Sequence, residues 1–486
     1  MKKKYGLFKV LAVLLLIIVV LTYFFKGRQD TVTYLALGDV LLNYLQSFYY
    51  FFDTALFILV VGGFYGVLNR IPAYKKMVKG IVNKVEDKSK LFVIITTIVL
   101  ALISSLTGLN VLLLLVVPMF VSVILLLGYD KLVALSATIG SIIVGFIGGI
   151  FLTFKDASSY YEVSYTTVDK LVGLDSNWDT LLPKILLLVV GIGLLIWYIN
   201  NHIKKVEKGS KAYVLSKSDS LFVEVKDKNG KKIETKNDKK VRVWPLAVVL
   251  VLIFILLVLG YLPWSNLFGI EIFNDFHTWL TGLKVGDYAV FTSLISSNFG
   301  AFGTWANQGN YLTAMVVVII FTFILMLIYR VKFEEGMDGF IYGIKKMIPS
   351  AMIVILAYTV LVCSYNNGFF EMIITDIGDK FGDNAIIHSL IVIIGSILNV
   401  DLYYASVSIF TTIVSTLTDN ANLSVYVVMF QSLYGLVQIV GPTSIILIVG
   451  LTYLEVPYKT WLKYIWRFIV WLLIVILLAL MIVSLL

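Results

Sequence analysis

The chain has 486 residues, of which 59% are hydrophobic and only 14% are charged, and its mean hydropathy is +0.93. Soluble domains carry about 25% charged residues, so this composition excludes a soluble globular protein and predicts an all-α polytopic membrane protein. The formal net charge of +9 would suggest nucleic-acid binding in a soluble protein. Here the basic residues lie between apolar segments, so we expect a lipid bilayer and no nucleic acid as partner.

The apolar segments are long enough to be assigned in chain order. A helix needs about 20 apolar residues to cross the hydrocarbon core of a bilayer. Nine predicted spans are 7–25, 48–68, 132–154, 182–199, 244–262, 310–330, 348–367, 425–453 and 465–485. The first follows a Lys-rich start but has no small-residue cleavage site, so we expect an uncleaved helix.

Two further apolar blocks, 91–127 and 385–417, are too long for one span, and polar residues break each in the middle. Irregular backbone survives at membrane depth only where it is buried in protein or lines a wet cavity. We therefore predict two re-entrant helical hairpins. With both hairpins in place, most Lys and Arg residues fall on the side of the N-terminus, which predicts a cytoplasmic N-terminus and an outside C-terminus.

The order of these elements repeats. Each half contains a span, a hairpin, a broken span and a further span, and the two halves cross the membrane in opposite directions. The first set is 48–68, 91–127, 132–154 and 182–199, and the second is 348–367, 385–417, 425–453 and 465–485. This inverted-topology repeat with broken transmembrane helices is typical of secondary transporters.

The remaining segments are predicted to lie outside the membrane core. The basic segment 201–243 is interpreted as a cytoplasmic linker on anionic lipid, with a regulatory domain as the alternative and a short hairpin around Asn229-Gly230. The stretches 264–283 and 333–347 are amphipathic and are expected to lie along the membrane surface.

The candidate substrate site consists of the two hairpin tips and the break in 425–453. Pro442 removes an intrahelical hydrogen bond there, and Gly441 lets the backbone open. The first broken span has only glycines, at 145–149, and glycine packing is its preferred interpretation. The polar tips can bind an anion or Na⁺ through helix ends, or they can serve helix packing. The candidate residues are Ser104, Ser105, Thr107, Asn110, Asn399, Asp401, Tyr403, Gln431, Gly441, Pro442, Thr443 and Ser444.

Asp401 is the one acid predicted deep in the membrane, where ionisable side chains are costly and indicate function. It can neutralise a cationic substrate, coordinate Na⁺ or carry a proton, and the alternative is a tip that reaches water. Na⁺ ligands are predicted at Asn110, Asp401 and Thr443, and no cofactor is expected other than Na⁺ or H⁺ as coupling ion. Asp53 is expected at the interface, and His388 is expected to be packed.

No nucleotide-binding loop, zinc-protease motif or hydrolase elbow is present, which disfavours ATP-driven transport and predicts that the chain is not an enzyme. An intramembrane enzyme using Asp401 with His388 or Tyr403 is a remote alternative.

The segment from Gln431 to Trp466 resembles the YfcC-like branch of the four-carbon dicarboxylate anaerobic carriers, within the ion transporter superfamily. The segments from Phe57 to Asn69 and from Glu334 to Gly343 are similar to that family too. The hairpin tips depart from it. Such members usually carry Gly-Met-x-Glu-Glu-Thr and Pro-Ser-Ser-Ser-Gly, where this chain has Thr-Gly-Leu-Asn-Val-Leu at 107–112 and Asn-Val-Asp-Leu-Tyr at 399–403.

The resemblance implies an elevator-type transporter, with a scaffold that forms a homodimer and a moving transport domain. The expected divisions are 1–90 (anchor and first scaffold helices), 91–200 (first transport repeat), 201–243 (linker), 244–383 (second scaffold part) and 384–486 (second transport repeat). Relatives act on dicarboxylates, on arginine and ornithine, or on p-aminobenzoyl-glutamate. Because Asp401 favours a cationic group, we expect a plasma-membrane secondary active transporter of a small polar solute such as arginine or ornithine, by symport or antiport. A carrier of dicarboxylates or aminobenzoyl-glutamate is the alternative.

Overall fold

A computed structural model describes residues 6–27, 32–150, 154–156, 164–174, 178–209, 241–294, 299–308 and 311–485. The helices are α1 (Gly6–Phe25), α2 (Leu37–Leu68), α3 (Pro72–Val85), α4 (Ser89–Thr107), α5 (Val117–Leu126), α6 (Lys131–Leu135), α7 (Ser141–Ile147), α8 (Val168–Leu171), α9 (Trp178–Glu207), α10 (Trp244–Tyr261), α11 (Trp264–Phe268), α12 (Ile272–Gly282), α13 (Val290–Leu294), α14 (Leu312–Ile328), α15 (Phe333–Tyr365), α16 (Phe369–Phe381), α17 (Ala385–Leu398), α18 (Leu402–Ala405), α19 (Thr411–Ser415), α20 (Leu423–Gln438), α21 (Ile445–Tyr453) and α22 (Tyr458–Leu485).

Two small antiparallel sheets complete the described structure. Strand β1 (Phe154–Asp156) pairs with β2 (Ser164–Thr166), and β3 (Lys284–Val285) pairs with β4 (Tyr288–Ala289). One π-helical turn joins α6 to α7, and another joins α18 to α19. Within the described ranges, seven helices or continuous helix pairs are long and apolar enough to cross a membrane: α1, α2, α3–α4, α9, α10, α15 and α22. The prediction of a largely helical, multi-pass membrane protein is confirmed.

Both predicted hairpins are present as helix–break–helix units whose ends meet. In the first, α4 and α5 are separated by the tip at 108–116, and Tyr129 donates a hydrogen bond to Ser89 at 3.0 Å, which ties the two ends together. In the second, α17 and α18–α19 are separated at 399–401, and the carboxylate of Asp383 accepts hydrogen bonds from the backbone and hydroxyl of Thr418. Each unit therefore returns to the level where it began.

The two halves of the chain run in opposite directions, as the repeat predicts. Gly62 and Gly66 of α2 face Gly343 and Gly339 of α15, so these two helices are antiparallel. Helices α9 and α22 are antiparallel in the same way. So are the first broken helix, formed by α6 and α7, and the second, formed by α20 and α21. The contacts are Gly191 with Leu472, Tyr198 with Tyr464, Ile139 with Gly450, and Ile147 with Gly435.

The core centres on α20, which is buried along its length from Ser424 to Gln438. It packs against α7, α9, α17 and α22, so helices of both repeats surround it. The predicted break in 425–453 is confirmed, since α20 ends at Gln438 and α21 begins at Ile445.

Two sequence predictions are wrong in extent. The predicted span 132–154 ends as a helix at Ile147, because Gly148 and Gly149 follow and Gly148 packs directly on the backbone of Leu188. The stretch 333–347 does not form a separate surface helix. It is the first half of the 33-residue α15, and its Gly339 and Gly343 lie in the contact with α2.

Other boundaries differ only in length. Helix α9 continues to Glu207, past the predicted end of its span, and α2 begins at Leu37, before its predicted start. The predicted short hairpin at Asn229-Gly230 lies outside the described residues.

Candidate functional site

A cavity of about 400 Å³ lies where the two hairpin tips meet the break between α20 and α21. Its wall includes residues 107–112 of the first tip, 400–404 of the second, and Gln438 with 444–446 at the break. Small-molecule sites usually measure roughly 300–1,000 Å³, so the cavity has the size of a site for a small solute.

The twelve candidate residues divide into two groups around this cavity. Five of them line it, and the other seven hold the surrounding backbone. The lining residues are Thr107, Asn110, Asp401, Tyr403 and Ser444. The supporting residues are Ser104, Ser105, Asn399, Gln431, Gly441, Pro442 and Thr443.

The first tip is attached to the first broken helix. Ser104 donates to the carbonyl oxygen of Ile142 at 2.7 Å and also contacts the side-chain oxygen of Asn110. Ser105 donates to the carbonyl oxygen of Gly148 at 2.8 Å. Both serines are fully buried, so their hydroxyls satisfy backbone and tip groups away from the cavity.

The second tip is attached to the second broken helix in a related way. Thr443 donates to the carbonyl oxygen of Ile397 at 2.9 Å, and the carbonyl oxygen of Asn399 lies 3.3 Å away. The Asn399 amide donates to the Gly395 carbonyl at 3.0 Å and closes the end of α17. Pro442 has no N–H for the carbonyl of Gln438 four residues earlier, which accounts for the end of α20 at this point.

Gln431 connects the two repeats. Its side-chain nitrogen donates to the carbonyl oxygen of Gly149 at 2.7 Å, across from α20 to the end of the first broken helix. The glycine break at 145–149 is thus a packing feature, as predicted, because a Cβ on Gly145 would overlap the backbone of Ala101. The carbonyl of Gly149, which has no partner within the helix, accepts the hydrogen bond from Gln431 of the opposite repeat.

Asp401 stands at the start of α18 and on the cavity wall. Its Oδ1 accepts a hydrogen bond from the backbone N–H of Tyr404 at 3.0 Å, so the side chain caps this short helix. The carboxylate is half-buried, and it is the one charged side chain among the described residues that line the cavity. The second hairpin tip therefore faces the cavity.

An aromatic wall was missed by the sequence reasoning. Seven tyrosines line the cavity: Tyr50, Tyr261, Tyr311, Tyr358, Tyr403, Tyr404 and Tyr434. Phe51 lies beside them at a kink in α2, where its backbone leaves the helical conformation, and its ring stacks on Tyr358 at 4.0 Å between centroids. Phe51 also meets the ring of Tyr404 edge-on at 5.9 Å. Tyr403 and Tyr404 follow Asp401 in the predicted break, which is the one part of this wall that the sequence pointed to.

The other polar candidates take definite places. Asn110 and Asp401 of the predicted Na⁺ ligands share the cavity, whereas the hydroxyl of Thr443 is engaged by hairpin carbonyls. Asp53 follows the kink of α2, and its carboxylate accepts the backbone N–H of Thr54 at 2.7 Å. His388 is fully buried against the ring of Tyr426, in agreement with its prediction as a packed histidine.

Comparison with known proteins gives one structure and one family. The YdaH transporter of Alcanivorax borkumensis, whose crystal structure was described as having an unusual topology, is 10% identical to this chain. The alignment covers 98% of this chain and 97% of that one, with a TM-score of 0.39. No curated protein matches the chain.

The sequence profile of DcuC, the C4-dicarboxylate anaerobic carrier, matches residues 42–485. This range contains both hairpins, both broken helices and every residue named on the cavity wall. The chain therefore belongs to the C4-dicarboxylate anaerobic carrier family and is a multi-pass membrane transporter.

Proposed function

We propose that this carrier is a secondary active transporter of a small organic solute with a cationic amino or guanidino group, such as arginine or ornithine. The observation that supports this is the charge of the cavity wall. Asp401 supplies a carboxylate, and no Lys or Arg is among the described residues that line the cavity. A half-buried negative charge on a cavity wall without basic residues favours a cationic ligand.

The tyrosines support the same choice. Aromatic faces attract ammonium and guanidinium groups, typically by about 0.5–1 kcal/mol at exposed sites and more where water is excluded. Tyrosine also presents a hydroxyl that can accept or donate a hydrogen bond. A wall of seven tyrosines around one carboxylate is a chemically reasonable receptor for a cationic head group.

A C4-dicarboxylate is the second candidate, because the family carries that name and matches nearly the whole chain. A dianion next to Asp401 would require a cation bound with it, and Na⁺ between Asn110 and Asp401 would supply one. Aminobenzoyl-glutamate belongs with this alternative. We rank both below a cationic solute on electrostatic grounds.

The remaining features of the proposed transporter rest on sequence and resemblance. We propose coupling to Na⁺, H⁺ or a counter-substrate, with Asn110, Asp401 and Thr443 as the ion ligands to test. We also propose the YfcC-like branch, a homodimer in the plasma membrane, a cytoplasmic N-terminus and an outside C-terminus. The transport domain would combine 91–200 with 384–486, and the scaffold would combine 1–90 with 244–383.

The test is uptake by purified full-length protein in proteoliposomes, with imposed Na⁺ or pH gradients. We expect uptake of labelled arginine or ornithine that excess unlabelled arginine abolishes and excess succinate leaves unchanged. Uptake of succinate without uptake of either amino acid would reject the cationic substrate and support the dicarboxylate alternative.

A further inference from the structure

The two arms of the second hairpin expose different chemistry to their surroundings. The first arm, α17, exposes three aliphatic side chains one turn apart, each more than half uncovered: Ile386, Leu390 and Ile394. The return arm comprises α18, the π-helical turn at Ser406–Phe410 and α19. One face of this arm, which we call the hydroxyl face, is partly exposed and carries a hydroxyl group at every position: Tyr404, Ser408, Thr412 and Ser415.

Hydrogen bonds show that the hydroxyl face is continuous. The hydroxyl of Ser408 donates to the carbonyl oxygen of Tyr404 at 2.6 Å, and the hydroxyl of Thr412 donates to the carbonyl oxygen of Ser408 at 3.3 Å. Ser415 then donates to the carbonyl oxygen of Thr412 at 2.8 Å. Each member therefore lies one turn after the previous one, on the same side of the arm.

The hydroxyl face begins at the mouth of the cavity. Asp401 and Tyr404 both line the cavity, and the ring of Tyr404 lies 5.9 Å from that of Phe51 on α2. Tyr50, the neighbour of Phe51, also lines the cavity and is 67% exposed. The cavity is therefore open beside this part of α2, where the hydroxyl face starts.

The hydroxyl face ends at the charged base of the hairpin. There the exposed carboxylate of Asp383 accepts a hydrogen bond from Thr418, three residues after Ser415, and Asp419 is exposed as well. Residues 401–415 extend about 20 Å at the helical rise per residue, whereas half of a hydrocarbon core measures about 15 Å. The face is thus long enough to lead from mid-membrane to the water at the surface.

Contact with lipid does not account for the difference between the arms. Both arms belong to one hairpin and cover the same range of depth, since their ends meet at Asp383 and Thr418. Aliphatic side chains are the favoured surface against hydrocarbon, whereas a continuous run of polar groups at that depth is favoured against protein or water. Because the hydroxyl face is partly exposed, water is the neighbour that fits it.

We propose that the hydroxyl face lines a water-filled route by which the solute passes between the base of the second hairpin and the cavity. The hydroxyl groups offer the solute hydrogen bonds along the way, and Asp401 stands at the inner end. The inference concerns the path and applies to a cationic solute and a dicarboxylate alike, so it goes beyond the proposed function.

The first test is the reactivity of single cysteines in full-length protein held in lipid nanodiscs, with the native Cys363 replaced by alanine. The probe is trimethylammonioethyl methanethiosulfonate, a charged reagent confined to water. Ser408→Cys and Thr412→Cys have matched controls at similar depth on the other arm, Ile394→Cys and Leu390→Cys. We expect the hydroxyl-face cysteines to react at least about tenfold faster, because the thiolate is the reacting species and hydrocarbon suppresses its formation.

Equal rates on the two arms would overturn the route. Fast reaction at Ser415→Cys alone would also overturn it, because that residue lies near the base and would show only that the surface is wet. Arginine that is not taken up at all would reject the proposed function but not the route, since the labelling rates do not depend on transport.

The second test asks whether the solute uses this water. Ser408→Cys and Leu390→Cys are modified to completion with N-ethylmaleimide in detergent and then reconstituted into proteoliposomes. Uptake is measured for whichever probe, arginine or succinate, the unmodified protein transports. We expect the modified Ser408→Cys protein to lose uptake and the modified Leu390→Cys protein to keep it. Full uptake after modification of Ser408→Cys would overturn the proposal, because the added group would then lie outside the path.

Discussion

The carboxylate of Asp401 combines two tasks at one position. One oxygen accepts the backbone N–H of Tyr404 at the start of α18, and the side chain also supplies the charge of the cavity wall. Asparagine can cap a helix as well as aspartate does, whereas alanine cannot. The two tasks can therefore be separated by substitution.

Asp401→Asn should keep the helix start and remove the charge. We expect arginine binding to weaken by about tenfold to a hundredfold, the equivalent of one charged hydrogen bond, while the melting temperature stays close to that of the wild type. Asp401→Ala should lose binding to a similar extent and also lose about 1 kcal/mol of stability with the cap. Calorimetry and thermal unfolding in detergent measure the two effects. Unchanged arginine affinity in Asp401→Asn would show that the carboxylate serves only as a cap.

Asp383 provides a pH-dependent tie at the base of the second hairpin. The hydroxyl and the backbone N–H of Thr418 hydrogen-bond to this carboxylate and lower its pKa. Because the folded pKa lies below the unfolded value of about 3.9, the tie contributes fully above that pH and is lost as the pH falls through the folded pKa. Asp383→Asn should therefore melt below the wild type at neutral pH, and the difference should shrink in acid. Asp419→Asn, at an exposed neighbour, is the control. A difference that stays constant with pH would contradict the assignment.

The sequence located the polar residues of the site better than its aromatic wall. Asp401, Thr107 and Asn110 stand out because a polar side chain in an apolar run is costly at membrane depth. Tyr311, directly before α14, and Tyr358, within α15, lie in the proposed scaffold, where any aromatic residue can be a packing residue. Gln438 was not among the predicted site residues, because its place on the cavity wall depends on where α20 ends. The sequence alone predicts such a helix end only to within a few residues.

At the scale of elements, α2 and α15 meet through glycines. Gly62 and Gly66 lie against the backbone of Gly343 and Gly339, which lets the two helices approach closely. The segments that resemble the carrier family, 57–69 and 334–343, are the two sides of this contact. The amphipathic pattern of 333–347 arises from packing inside the protein, since Gly339 and Gly343 face α2 and Gly336 faces Met326 of α14. This is why a surface helix was predicted wrongly.

Gly66→Ala should destabilise this contact severely. The added Cβ would overlap the carbonyl oxygen of Gly339, and a backbone atom cannot move aside as a side chain can. Overpacking costs typically about 1–3 kcal/mol, and we expect at least the upper part of that range. Gly80→Ala in α3 is the control, because nothing lies within 4 Å of its Cβ position, and it should be neutral or stabilising by up to about 1 kcal/mol. Thermal unfolding of the purified variants measures both, and equal melting temperatures would contradict close packing at Gly66.

The hairpins and the second broken helix were predictable because polar residues and Pro442 interrupt apolar runs that are otherwise uniform. The end of the first broken helix was not predictable from the same pattern. After Gly149 the chain remains apolar for several residues, and hydrophobicity alone does not distinguish a continuing helix from chain that leaves it.

At the scale of the whole molecule, three pairs of equivalent helices run antiparallel, and both hairpin tips and the second helix break reach one cavity. The cavity is also lined by α2, α10 and α15, which lie in the proposed scaffold. A solute there touches both proposed domains. An elevator mechanism therefore requires that the contacts between Asp401's hairpin and α2 change during transport.

Cross-linking across this boundary tests the movement. Phe51 of α2 and Tyr404 of the second hairpin have ring centroids 5.9 Å apart, so cysteines at both positions should be joined by a short thiol-reactive linker or mercury. The native Cys363 is first replaced by alanine, since it is the single cysteine of the chain. We expect cross-linking of Phe51→Cys with Tyr404→Cys to stop uptake, with recovery after the link is reversed, because 384–486 can no longer move against 1–90. Uptake by the same variant before cross-linking is the reference, and Tyr365→Cys with Tyr404→Cys, at 6.1 Å, provides a second pair.

The control links the two ends of the second hairpin, one at the residue directly before the second transport repeat and the other within that repeat. Asp383→Cys with Thr418→Cys joins the two ends of the second hairpin, which are already held together by hydrogen bonds. A link there should leave uptake at the level of the unlinked variant, because the hairpin moves as one body in an elevator. If this control blocked transport while the Phe51–Tyr404 link did not, the hairpin itself would be the moving gate, and its two arms would have to separate to admit the solute. The two links therefore distinguish movement of a whole domain from opening of a single hairpin.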